Sequence, residues 1–237
     1  QSRDTCRLHS ERCTSEGEPS VKRIWIYESE LRAIAQESLS WESETGGDLF
    51  GIHDREPVIF LATRMGPNST RSSSQCQFDL AYLERLSTFL AEEWNLSYFG
   101  DWHSHYLSQN NVPSRTDRNR IGRLLQRLGF PEIFEFIITL SETLPEQIRR
   151  VRVHGFEFLQ ETWYSPDALT ISLLPGISPM REALSLRNEP LEQDWNAWQS
   201  VPPEIVLGYD RALETEVGVA SYCQILASRL TEGTTST

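Results

Sequence analysis

The chain has 237 residues, enough for one well-packed domain with an extension or for two very small domains. Hydrophobic residues make up 38% and charged residues 24%, the balance of a soluble globular protein. Lys+Arg number 22 against 34 Asp+Glu, so the net charge is -12. An acidic surface gains nothing from phosphates or anionic lipids, which argues against nucleic acid or membrane as the main partner.

No apolar run approaches the ~18 residues that span a bilayer. The longest, Val58–Ala62 and Ile133–Leu140, are of strand length. The first residues are polar and lack an apolar h-region, so no signal peptide is expected and the chain reads as cytoplasmic. Cysteines at 6, 13, 76 and 223 form no C-x-x-C pair and are expected to be free thiols. Cys6, His9 and Cys13 could serve as three ligands of a second metal, but a fourth is missing.

Residues 1–20 are polar and aperiodic and are expected to form a mobile tail. Val21–Tyr27 alternates β-branched and aromatic residues as a strand does, and Leu31, Ile34 and Ala35 give Glu28–Ser40 a helical spacing. Gly46-Gly47 punctuates the next stretch ahead of Leu49–Ile52. Pro57–Thr63 reads as a buried strand and Gly66–Ser74 as a loop. Asp79–Trp94 is the clearest amphipathic helix, with Tyr82, Leu83, Leu86, Phe89, Leu90 and Trp94 on one face. Tyr98–His105 reads as a strand, Ser108–Pro113 as a polar loop, and Ser114–Leu128 as a helix ended by Gly129. Glu132–Leu140 and Ile148–Gln160 are predicted strands. Strands interleaved with helices point to an α/β fold. After about Met180 the pattern breaks down, and residues 181–237 are expected to pack on the core as an extension with a last helix over Asp210–Leu230.

The chemistry concentrates in Gly100-Asp101-Trp102-His103-Ser104-His105, followed after eight residues by Ser114-Arg115-Thr116-Asp117. Histidines at i and i+2 on a strand share a face, so their imidazoles can converge on one ion. Asp117, at the start of the next helix, can reach the same point. Two neutral nitrogens and one carboxylate suit zinc and leave a fourth tetrahedral position open. Each piece also has a plain structural explanation: a strand-end His pair is often polar surface, and Ser-x-x-Asp before an apolar run is a capping box. The cap and the ligand role are compatible. Hydrolysis also needs a base that is not a ligand, and Glu44, before Gly46-Gly47, is the candidate. Trp41, Phe50 and Tyr106 are expected to line a groove for an extended peptide, with Ser108–Pro113 and the segment after Phe50 as its walls. His53 and His154 read as surface or strand-edge residues. Trp102 reads as core, and Trp163, Trp195 and Trp198 suggest that the extension buries something.

Glu44 before Thr-Gly-Gly-x-Leu-x-Gly, then His-Ser-His, then Ser-x-x-Asp, resembles the JAMM (JAB/MPN) zinc metalloprotease motif. Gly66-Pro67-Asn68-Ser69 and Leu174–Pro179 are similar to recurrent elements of its prokaryotic branch, and the resemblance covers about residues 21–180. Tyr106 departs from it, standing where the family usually has proline. The resemblance implies a JAB-type mixed curved sheet flanked by helices. It also implies one zinc per chain on His103, His105 and Asp117, with Glu44 as general base and Ser114 as oxyanion donor. The implied substrate is the amide after the C-terminal glycine of a ubiquitin-like modifier. The implied partners are the modifier's conjugates and, as in some phage-defence systems, activating and conjugating enzymes. A processing peptidase for a sulfur carrier and a non-cutting modifier-binding module are the alternatives.

Overall fold

The computed structural model describes residues 22–53, 56–73, 75–106, 110–143, 148–187 and 206–208. The expected tail at 1–20 lies outside them, with Cys6, His9 and Cys13. So do Trp195, Trp198, Cys223 and the predicted helix Asp210–Leu230.

The elements run β1 (Arg23–Tyr27), α1 (Glu28–Leu39), β2 (Gly46–His53), β3 (Pro57–Ala62), β4 (Thr70–Arg71), β5 (Cys76–Gln77), α2 (Leu80–Trp94) and β6 (Ser97–His105). They continue with α3 (Arg115–Leu128), β7 (Glu132–Thr143), β8 (Ile148–Leu159), β9 (Asp167–Leu174), α4 (Pro179–Arg187) and β10 (Val206–Gly208). The chain is thus mixed α/β, as its interleaved periodicities predict. Among the described residues no helix is long and apolar enough to cross a membrane.

The main sheet has the order β10-β8-β7-β6-β2-β3-β1-β9, and β9 also pairs with β8 through Gly155–Glu157. Seven strands therefore close on themselves into a barrel, where a JAB-type mixed curved sheet flanked by helices was expected. Two irregularities in β2 help to explain the closure. Pairing slips past Phe60 on β3 and past Phe99 on β6, and such bulges increase local twist. Strong coiling brings the far edge of a sheet back to its start. β8, twelve residues long, has a free edge wide enough for β9 at one end and β10 at the other.

Alternation along each strand divides the side chains between two faces. The inner face is apolar and draws on all seven strands, for example Ile24, Leu49, Ile59, Trp102, Phe136, Val151 and Leu169, joined by Leu31, Ile34 and Ala35 of α1. The outer face carries α2 and α4 in one cluster, where Leu86, Leu90, Met180 and Leu184 pack with Phe50 and Phe60. α3 forms another, with Ile121 and Leu125 against Ile133, Ile137 and Phe158. The expected boundary at residue 180 therefore falls inside α4, a helix whose Met180 and Leu184 are buried with the strands. Trp163 packs against Gly122 of α3.

Sequence reading missed β9, whose exposed and half-buried positions blur its alternation. It also missed the small β4–β5 hairpin inside the predicted Gly66–Ser74 loop and just beyond it.

Candidate metal centre

Asp101, His103 and His105 share the outer face of β6, while Trp102 between them is buried inside and donates its indole N–H to the Thr63 carbonyl at 3.0 Å. α3 lies over this face and begins with a complete capping box. Ser114 Oγ accepts from the Asp117 backbone N–H at 3.2 Å, and Asp117 Oδ2 accepts from the Ser114 N–H at 2.8 Å. The cap fixes the Asp117 carboxylate at the helix start, next to the histidines. His103, His105 and Asp117 each offer one ligand atom, all within 4.8 Å of one another.

The imidazoles meet through their Nε2 atoms, 3.1 Å apart, and His103 Nε2 lies 3.7 Å from Asp117 Oδ2. Ligands of a tetrahedral zinc site, bound at about 2.0–2.1 Å, stand roughly 3.3 Å apart, so these separations fit. His105 Nδ1 lies 2.6 Å from the Asn110 carbonyl, to which it can only donate. That bond fixes the tautomer, and a neutral ring then presents a lone pair at Nε2, as a metal ligand must. Burial pushes the His103 pKa down to about 4, so its ring is neutral at pH 7. Asp117 is lowered despite its burial, by His103 and by the Ser114 hydrogen bonds, and so stays ionised. The donor set therefore fits a single zinc ion: two neutral nitrogens and one anionic oxygen, in reach of one point.

The segment bearing Glu44 is pinned from both sides. The Glu44 N–H donates to the Ser72 carbonyl at 2.9 Å, the Thr45 N–H donates to Ser104 Oγ at 3.0 Å, and the Ser104 N–H donates to the Thr45 carbonyl at 2.8 Å. Ser104, between the two histidines, thus ties the Glu44 segment to the strand that carries them. The glycines act as expected of a close approach, although they begin β2 instead of forming a turn. A Cβ on Gly46 would strike the Trp102 carbonyl, and one on Gly47 the Thr63 carbonyl. Burial raises the Glu44 pKa, His105 opposes the rise and Asp117 adds to it.

An open cleft of about 800 Å³ unites Glu44, His103, His105, Ser114 and Asp117. Its walls include Tyr106 and Asn110, as expected, but much of the rest of the lining comes from Ser73, Gln75–Phe78 and Leu80. Phe50 is fully buried in the core, and the segment after it does not reach the cleft, because β2 runs away from the site beneath α2. Trp41, 41% exposed, lies under the Arg71 guanidinium at 4.0 Å and outside the cleft lining. Cys76 lines the cleft, but burial first, then Glu44, pushes its thiol to about 12, so it remains protonated and a poor nucleophile. His53 is half exposed at a strand end, and His154 is within 3.2 Å of Thr139 Oγ1.

Three residues of this region escaped sequence reading. Asp101 continues the His103/His105 row two residues back, Glu135 interrupts the apolar strand Ile133–Leu140, and Arg120 follows Asp117 by one helical turn. Of these only Glu135 carried a local signal, a charge inside an otherwise apolar strand run.

No protein-family model matches the chain. It is 29% identical over 117 residues to "Probable metalloprotease y4qB" of Sinorhizobium fredii, which covers 44% of this chain and 67% of that protein. Among solved structures it resembles protein DSY2949 of Desulfitobacterium hafniense, with a TM-score of 0.47 and 19% identity over 65% of this chain and 94% of that one.

Proposed function

We propose that the chain is a zinc-dependent metallopeptidase that hydrolyses the amide after the C-terminal glycine of a ubiquitin-like modifier. The observation that supports it most is the meeting of His103 Nε2, His105 Nε2 and the capped Asp117 carboxylate at one cleft with Glu44 and Ser114. The similarity to a relative named a metalloprotease points to the same class of chemistry. The modifier comes from the resemblance of the motif, and the same reading assigns the chain to the cytoplasm beside activating and conjugating enzymes.

His103, His105 and Asp117 would hold the ion, which when bound polarises a carbonyl and makes water a better nucleophile. Glu44 takes the proton from the attacking water at its carboxylate. Its raised pKa suits the exchange, since a base works best with a pKa near the working pH. Glu44 then gives that proton to the leaving amine nitrogen. Ser114 Oγ accepts from its helix, which leaves its hydroxyl hydrogen to donate to the substrate carbonyl oxygen as negative charge develops there.

The test is cleavage of a modifier joined to a target through a lysine side chain or in linear fusion, by wild type and by Glu44→Gln. Cleavage of either substrate by wild type and none by Glu44→Gln is expected, and preference between them separates deconjugation from precursor processing. Replacing the last Gly of the tail by Ala should slow turnover at least about tenfold, roughly 1.4 kcal/mol of transition-state binding. Binding without cleavage would leave a recognition module, and equal turnover on both tails a general amidase. Either outcome contradicts the proposal.

A further inference from the structure

The reading above uses the Nε2 atoms of the histidines and leaves a buried charged group behind His103 unexplained. Asp48, Asp101 and Glu135 stand side by side on β2, β6 and β7, in register across three neighbouring strands. All three are buried. Three adjacent carboxylates in a core are costly unless something answers their charge. Arg120 of α3 answers it. Its two Nη atoms donate to both oxygens of Asp101, at 2.5 and 2.8 Å, and Nη2 also donates to Glu135 Oε1 at 3.0 Å.

His103 meets the same group from the other side. Its Nδ1 lies 3.6 Å from Glu135 Oε1, and Asp101, His103 and Glu135 offer atoms within 4.8 Å of one another. On distance alone these three residues form a second metal site. Arg120 argues against that, because its guanidinium already occupies both Asp101 oxygens and the Glu135 oxygen that faces His103. It sits on this group as a second ion would.

We propose, resting on the metallopeptidase reading, that Arg120 is a positioning residue. It clamps Asp101 and Glu135 so that Glu135 Oε1 faces the N–H of His103 Nδ1, which keeps Nε2 free for a single zinc. Oε1 accepts from Arg120, and the guanidinium beside it favours an oxygen that carries no hydrogen there. A ring nitrogen facing such an acceptor carries its hydrogen, and the lone pair falls on Nε2. Oε2 of Glu135 is buried without a hydrogen-bond partner among the described residues, so Arg120 is what fixes the rotation of the carboxyl group. The 3.6 Å gap is ion-pair distance, about half an ångström beyond a hydrogen bond, so small movements of that clamp decide how firmly the ring is held. Partners that orient a metal-binding histidine typically contribute about 10–100-fold in metal affinity.

The experiment is a competition titration of zinc against a chromophoric chelator, using the full chain near neutral pH. It compares wild type, Glu135→Gln, Arg120→Gln and Arg120→Lys, and the cobalt(II) absorption bands of each report the ligand field. Metal-free circular dichroism melts identify the variants that remain folded. Wild type should bind one zinc. Glu135→Gln and Arg120→Gln should bind it about 10–100-fold more weakly with shifted cobalt bands, and Arg120→Lys, which keeps the charge but loses the fork, should recover only part. Folded variants with affinities within about twofold of wild type, or two zinc ions on the wild-type chain, would overturn the inference. If Glu135→Gln does not fold, the two Arg120 variants decide it by the same criterion. A wild-type chain that binds no zinc would overturn the metallopeptidase reading, and this inference with it.

Discussion

At Ser114 a structural and a chemical role share one hydroxyl group. Its oxygen lone pair caps α3 through the Asp117 N–H, and its hydrogen is the proposed donor to the substrate oxygen. Ser114→Ala should therefore lose about 1 kcal/mol of stability with the cap, and on the order of 10²–10³ in turnover with the oxyanion donor. Ser114→Asn, which can cap, should recover most of the stability and less of the activity. Urea unfolding and turnover on one substrate separate the two roles, and full activity in both variants would reduce Ser114 to a cap. The candidate ligands were legible in the sequence because their geometry is local: a period of two along one strand and one turn of one helix. Asp101, Glu135 and Arg120 were not, because their meeting depends on strand register between segments more than thirty residues apart, which no local pattern encodes.

β6 carries two of the three candidate ligands, and its position depends on close backbone contact on both sides. Gly100 has φ +148, and a Cβ there would fall on the Phe134 carbonyl of β7. Gly100→Ala would meet both the unfavourable backbone and the clash, so it should cost at least about 2 kcal/mol. A shift in the urea midpoint measures this, and an unchanged midpoint would show that β6 and β7 can separate freely. Helices α2 and α3 were readable from their stripes and caps, with Asp79 and Ser114 where the pattern puts them. The β4–β5 hairpin was not, since strands of two residues are too short to alternate. It was also a part that lines the cleft, which explains why the groove was expected at the wrong segment.

At the scale of the molecule, the closed sheet buries one titratable ring with a stability consequence. His103 has a folded pKa of about 4 against 6.5 when free. Below pH 6.5 the unfolded chain takes up a proton that the folded metal-free chain refuses. Stability therefore falls as the pH drops, and the cost is complete near pH 4, at roughly 3 kcal/mol. Buried Asp48 and Glu135 act in the opposite sense, since burial raises them well above the usual carboxylate range. Their contribution is present in acid and is lost as pH rises through their folded values. Comparing metal-free wild type with His103→Gln isolates the histidine. The variant should show a flatter loss of stability between pH 6.5 and pH 4 in urea unfolding, and identical slopes would mean that the ring is protonated in the folded chain.

The claim on which the rest depends is that His103, His105 and Asp117 form one zinc site and that Glu44 stands beside it without being a ligand. Elemental analysis of the full chain after exhaustive dialysis tests this most directly, on wild type, His103→Ala and Glu44→Ala. The account predicts about one zinc per chain in wild type, about one in Glu44→Ala and close to none in His103→Ala. Zinc absent from wild type, or lost in Glu44→Ala, would contradict it.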